Sequence, residues 1–171
     1  MNEEIFDVVD EHDLVIGQNT RSEVHRLGLR HRAVHVLVFD SRGHLFLQKR
    51  SQTKDRHPGV WDSSASGHVD TGEQYDDCAI RELREELGLT INEPPLRLFK
   101  LAAGPETDQE HVWVYRARSE GPFTLHPEEI ERGDWFTPEM LDGWLERAPR
   151  DFAPAFAWIW KRVRAALLVN R

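Results

Sequence analysis

Residues 67–89 read GHVDTGEQYDDCAIRELREELGL, and the reading of the whole chain turns on this stretch. Three of its acids, Glu82, Glu85 and Glu86, are spaced i, i+3, i+4. On a helix that spacing gathers the carboxylates within an arc of about 100°. Like charges this close repel, so the pattern calls for a counterion. A hard divalent cation such as Mg²⁺ takes oxygen ligands, which points to chemistry on a phosphate ester or anhydride.

The helix itself follows from its neighbours. Residues 74–87 contain neither Pro nor Gly, and Gly88 stands where a helix C-terminal glycine belongs. Ala79, Ile80, Leu83 and Leu87 form a second arc beside the acids at helical periodicity. One stripe packs on a core while the next carries charge. Residues 63–72, rich in Ser and Gly, read as a loop that lets backbone approach a ligand.

The stretch resembles the signature of the Nudix hydrolases, G-x5-E-x7-R-E-U-x-E-E-x-G-U with U a bulky aliphatic residue. Gly67, Glu73, Arg81, Glu82, Leu83, Glu85, Glu86, Gly88 and Leu89 match without a mismatch. From average residue frequencies such a match arises by chance on the order of 10⁻¹⁰ to 10⁻⁹ per window. The resemblance implies a hydrolase of diphosphate linkages that uses Mg²⁺ or Mn²⁺. It makes Glu82, Glu85 and Glu86, with the Gly67 backbone, the metal ligands, and it has Arg81 orient a glutamate, with Glu73 as partner. Metal would neutralise the bridging phosphates and acidify a bound water, and a carboxylate would act as general base. Glu86 and the acids at 106–110 (Glu106, Asp108 and Glu110) are the candidates for that base.

Composition agrees with a small enzyme. The chain has 171 residues, six Trp and eight Phe, enough for one domain with a real core. A net charge of −8 without a basic run argues against duplex nucleic acid and leaves a small-molecule diphosphate as the expected partner. Its one cysteine, Cys78, excludes a disulfide framework and reads as a small residue on the signature helix. The opening MNEEIFDVVDEHD is no signal peptide, and no apolar run approaches the ~18 residues of a membrane span. A cytoplasmic location is the expectation, without a membrane partner.

No repeat or linker divides the chain, so residues 1–171 read as a single domain. A hairpin is expected at residues 5–9 and 14–18, a helical turn at 22–27, and strands at 33–39, 44–49, 96–101, 111–116 and 134–136. Thr137 and Pro138 start a helix. A last helix over about residues 152–168 presents Phe156, Ile159, Trp160, Val163 and Leu167 as a core stripe. Strands flanked by helices give an α/β class, an α/β/α sandwich with a mixed sheet, which is also the Nudix fold. The apolar last helix covers either the core or a partner, so a homodimer is open.

A wider resemblance runs from about residue 5 to 160. Asp7-Val8-Val9-Asp10, Arg30-His31-Arg32-Ala33, Gln48-Lys49-Arg50-Ser51, Lys54, Pro58-Gly59-Val60-Trp61 and Gly67-His68 look like the isopentenyl-diphosphate isomerase-like branch. The branch implies a second metal site from three histidines and two acids, here His25, His31, His68, Asp108 and Glu110, suited to Zn²⁺ or Mn²⁺. It implies diphosphate binding by Arg50 and Lys54. The isomerase cysteine is replaced by Ser66, and the late tryptophan segment reads Phe152-Ala153-Pro154-Ala155-Phe156. A serine hydroxyl does not readily shuttle protons at an allylic carbon. Hydrolysis is therefore the leading reading, with isomerisation and a non-catalytic diphosphate- or nucleotide-binding module as the alternatives.

Overall fold

The computed structural model describes residues 3–169. The chain opens with a hairpin of β1 (Ile5–Val9) and β2 (Val15–Thr20), then a short helix α1 (Arg21–Leu27). Thr20 caps α1 by accepting from the Glu23 N–H, and Gly28 ends it in the left-handed region at φ 62°. Next come β3 (His31–Phe39), β4 (Leu45–Arg50), β5 (Trp61–Asp62), β6 (Ala65–His68) and the signature helix α2 (Tyr75–Leu87). The rest is β7 (Leu96–Leu101), β8 (Glu110–Arg118), β9 (Ile130–Phe136), α3 (Pro138–Arg147) and α4 (Pro154–Val169). Gly88 closes α2, its N–H reaching back to the Arg84 and Leu83 carbonyls, and Thr137 caps α3 with Pro138 in the first turn.

Seven strands form the main sheet in the order β5-β4-β3-β8-β7, with β6 added to β3 and β9 to β4. β3 and β8 run parallel and the other pairs antiparallel, so the sheet is mixed. Alternation along β3 divides the core. Val34, Val36 and Val38 pack with Ala79, Leu83 and Leu87 of α2, while Leu37 and Phe39 pack with Leu141 of α3 and Phe156, Ile159 and Trp160 of α4. Helices thus cover both faces of the sheet, an α/β/α arrangement. Cys78 is buried on the α2 side.

Two readings of the sequence change. The segment expected as loop over 63–72 contains β6, whose Ala-Ser-Gly composition carries no strand signal; its pairing with β3 makes it a strand. The short strand expected at 134–136 extends over Ile130–Phe136 because β4 supplies its ladder partners. Among the described residues no helix is long and apolar enough to cross a membrane.

Candidate active site

Register delivers the site. β3 aligned with β8 sets His31 beside Glu110, and β3 aligned with β6 sets Ala33 beside His68 and Val34 beside Gly67. α2 then lays its acidic stripe against β6. Glu82 and Glu86 are buried at 8% and 6% exposure, whereas the Glu85 side chain is half exposed.

Arg81 is the shared cation of this stripe. Its guanidinium grips Glu73 through Nε–Oε1 at 2.8 Å and Nη2–Oε2 at 2.9 Å. It also donates to Glu82 Oε1 at 2.8 Å, Glu85 Oε2 at 3.2 Å and the His68 carbonyl at 3.0 Å. These charge-assisted bonds, that to Glu73 above all, hold the guanidinium firmly protonated. Gly67 makes room for the stripe: a Cβ there would fall 2.8 Å from Glu82 Cγ and closer still to its carboxylate. Burial, then repulsion from Glu86, pushes the Glu82 carboxyl well above the usual range. Glu86 is pushed up to about 7, chiefly by burial, against the pull of bonds to Oε2 from the Ser66 N–H at 3.0 Å and the Gln48 amide at 2.7 Å.

The donor set therefore fits a divalent cation. Two buried carboxylates, Glu82 and Glu86, stand beside a third at the edge, and the arginine that pairs with Glu82 and Glu85 is also spent on Glu73. Their oxygens are the hard ligands that Mg²⁺ and Mn²⁺ prefer.

A second cluster lies beside the first. Nitrogens of His25, His31 and His68 all lie within 4.8 Å of one another. Phe6 stacks on His31 and leans on His68, with ring centroids 5.8 and 4.7 Å apart. His31 Nδ1 sits 2.8 Å from the Leu29 carbonyl, which can only accept, so Nδ1 carries a proton. The Nε2 atoms of His25 and His31 are buried without a hydrogen-bond partner. Burial, followed by the neighbouring His68 and His31, lowers His25 to about 4, so it is neutral near pH 7. Glu110 Oε1 lies 3.0 Å from His68 Nε2 and 3.5 Å from His31 Nε2. Burial opposes its ionisation, but the two imidazoles outweigh it and hold the carboxyl far below the usual range. Three imidazoles with an adjoining carboxylate suit Zn²⁺ or Mn²⁺.

Asp108 does not join that cluster as expected. Its carboxylate binds His57 Nε2 at 2.9 Å and Arg56 Nη2 at 2.7 Å. Those bonds, led by His57, keep it down at about 2. The physical reason lies in the backbone: Asp108 and Gln109 both adopt left-handed conformations at φ 54° and 63°, which turn the chain between Asp108 and Glu110.

Both clusters open on a cavity of about 690 Å³ that Arg50, Lys54, Arg56, Glu106 and Glu129 also line. Arg50 donates to the Arg56 and His57 carbonyls and approaches Asp62 at 3.4 Å. Lys54 pairs with Glu129. Of the acids read as candidate bases, Asp108 and Glu110 are tied to cationic or imidazole partners, and Glu106 is exposed at the cavity. Sequence reasoning missed Arg56 and Glu129, for which no signal existed, and the contact of Gln48 with Glu86, a residue it quoted without assigning it a part.

A family model for the NUDIX domain matches residues 29–159. An uncharacterised Nudix hydrolase of Yersinia pestis is 39% identical over 143 residues, 81% of this chain and 75% of its own length. The uncharacterised Nudix hydrolase YfcD of Escherichia coli K12 is 34% identical over 164 residues, 93% of this chain and 88% of its own. The crystal structure of DR0079 from Deinococcus radiodurans matches with a TM-score of 0.78 at 31% identity, covering 93% of this chain and 98% of that one. A MutT protein from Methanosarcina mazei, at 20% identity and a TM-score of 0.67, shares the fold.

Proposed function

We propose that this chain, which belongs to the Nudix family of diphosphate-bond hydrolases, cleaves a nucleoside diphosphate-type or related small molecule with Mg²⁺ or Mn²⁺ held by Glu82, Glu85, Glu86 and the Gly67 backbone. The observation that carries this reading is the burial of Glu82 and Glu86, while the neighbouring Arg81 pairs with Glu82 and Glu85, is already committed to Glu73 and makes no bond to Glu86. Bound there, the ion supplies positive charge against the diphosphate oxygens and acidity to a water.

The chain's own residues do the rest. Arg81 fixes Glu73 and Glu82 through its planar fork. Arg50 and Lys54 meet the diphosphate from the cavity wall, exchanging protein oxygens for phosphate oxygens. The water's proton goes to Glu86 or Glu106, the two candidate bases not paired with a cation or imidazole. His25, His31, His68 and Glu110 supply a second cation site for Zn²⁺ or Mn²⁺. That cluster supports an isomerase-like scaffold put to hydrolysis. Ser66, at the isomerase's cysteine position, serves Glu86 through its backbone N–H rather than acting on carbon.

The test is a phosphate-release screen over a diphosphate library with Mg²⁺ and with Mn²⁺. Glu85→Gln and Glu86→Gln should each lose most of the turnover. Rates like those of the unaltered protein in either variant overturn the assignment.

A further inference from the structure

Position 48 breaks the pattern of its strand. Along β4, Leu45 and Leu47 enter the core beneath α3 and α4, and Phe46 faces the α2 side. By the two-residue alternation of a strand, position 48 continues the Phe46 row, where an apolar residue is the default. Instead it is Gln48, 1% exposed. A buried amide without partners costs several kilocalories, so its neighbours explain its presence.

Gln48 Nε2 donates to Glu86 Oε2 at 2.7 Å and to the Ser64 carbonyl at 3.3 Å. Both neighbours are acceptors, so the NH₂ end faces them without ambiguity. A hydroxyl has one hydrogen to give; the amide has two and satisfies both acceptors. The Ser66 N–H reaches the same Glu86 oxygen at 3.0 Å. Oε2 is thus held by both a strand backbone and a buried side chain. Oε1 receives no donor among the described residues.

We infer that Gln48 is a positioning residue for Glu86: it locks one carboxylate oxygen so that the other is presented to the divalent cation and substrate. This rests on the metal-ligand reading of Glu86 proposed above. Outer partners of metal-binding carboxylates that do this are typically worth about 10- to 100-fold in metal affinity or activity.

The test replaces the amide by a thioether of similar length. Gln48→Met should bind Mn²⁺ about 10- to 100-fold more weakly, measured on the free protein by calorimetry. Its kcat should fall at limiting metal and recover in part at high metal, while the substrate KM at saturating metal stays unchanged. Unaltered Mn²⁺ affinity overturns the inference, whether activity is kept or is lost together with melting temperature, the latter marking a merely structural role. If Gln48→Met fails to fold, Gln48→Asn decides, because its shorter stem keeps the amide and withdraws it from Glu86; unchanged affinity there overturns the inference too. Glu86→Gln run in parallel separates the layers. Loss of Mn²⁺ binding in Glu86→Gln with none in Gln48→Met sinks only the role of Gln48. Retention in both sinks the metal reading beneath it.

Discussion

Gly67→Ala places one methyl group where the site has no space for it. The new Cβ would lie 2.8 Å from Glu82 Cγ, against about 3.5–4.0 Å for carbon atoms at their optimum. Conformation is not the obstacle, because Gly67 is absent from the glycines at positive φ. The strand cannot easily retreat, since β6 is in register with β3 at Val34–Gly67. Glu82 must move instead, away from the Arg81 bond at 2.8 Å that aims it. Overpacking of this kind costs about 1–3 kcal/mol, and at this chain length each kilocalorie lowers Tm by about 2–4 °C. Moving Glu82 outward also relieves a carboxylate that burial disfavours in its charged form, so the lower half of that range is expected.

The functional loss should be larger than the structural one. A ligand that binds only the folded protein at 100 times its Kd raises stability by about 2.7 kcal/mol. Melting curves with and without excess Mn²⁺ should show that rise for the unaltered protein and a much smaller one for Gly67→Ala, with phosphate release falling in step. Gly17→Ala is the control, because a Cβ at that position meets nothing within 4 Å. Full Mn²⁺ stabilisation together with full turnover in Gly67→Ala refutes the reasoning about Glu82.

Two further outcomes are expected. Glu86 is raised to about 7 in the folded protein, so it binds a proton that the unfolded chain gives up. Its contribution to metal-free stability is full below the unfolded value of 4.5 and is lost as pH rises through about 7; melting in chelator should show this slope, and Glu86→Gln should flatten it. Metal binding below neutrality should correspondingly release protons, visible as buffer-dependent heats in calorimetry. The second outcome concerns the histidine cluster: Glu110→Gln should weaken Zn²⁺ or Mn²⁺ binding there, whereas Asp108→Asn, which breaks only the Arg56 and His57 contacts, should leave it unchanged. Equal losses in the two variants restore Asp108 to the ligand set.

What the sequence revealed follows the range of the forces involved. α2 was legible because its periodicity, its terminal Gly88 and its i, i+3, i+4 acids are local, and the Arg81–Glu73 pair spans eight residues on one motif. The hairpin, β3 and β7 followed from alternation and turn chemistry. β6 was hidden because its strand character comes from β3 rather than from Ala-Ser-Gly-His. Asp108 was misplaced because the resemblance assigned it by its position along the chain, and the left-handed pair Asp108–Gln109 turns the backbone between it and Glu110. The Gln48 contact with Glu86 bridges 38 residues, a separation at which no spacing rule operates.

The least conspicuous segment, Ser66-Gly67-His68, is what joins the two clusters. Ser66 gives its N–H to Glu86, Gly67 leaves the volume that Glu82 fills, and the His68 carbonyl accepts from Arg81. The same His68 turns its ring to Glu110 and to the other two imidazoles. Three consecutive residues on one short strand therefore fix carboxylates on one side and imidazoles on the other. β6 is held in turn by four register pairs with β3, the strand that also carries His31. A shift of that register by one residue would exchange the two faces of β6, turning Ser66 and His68 away from their partners together. The fold thus protects both clusters with a single ladder, the one that pairs β6 with β3.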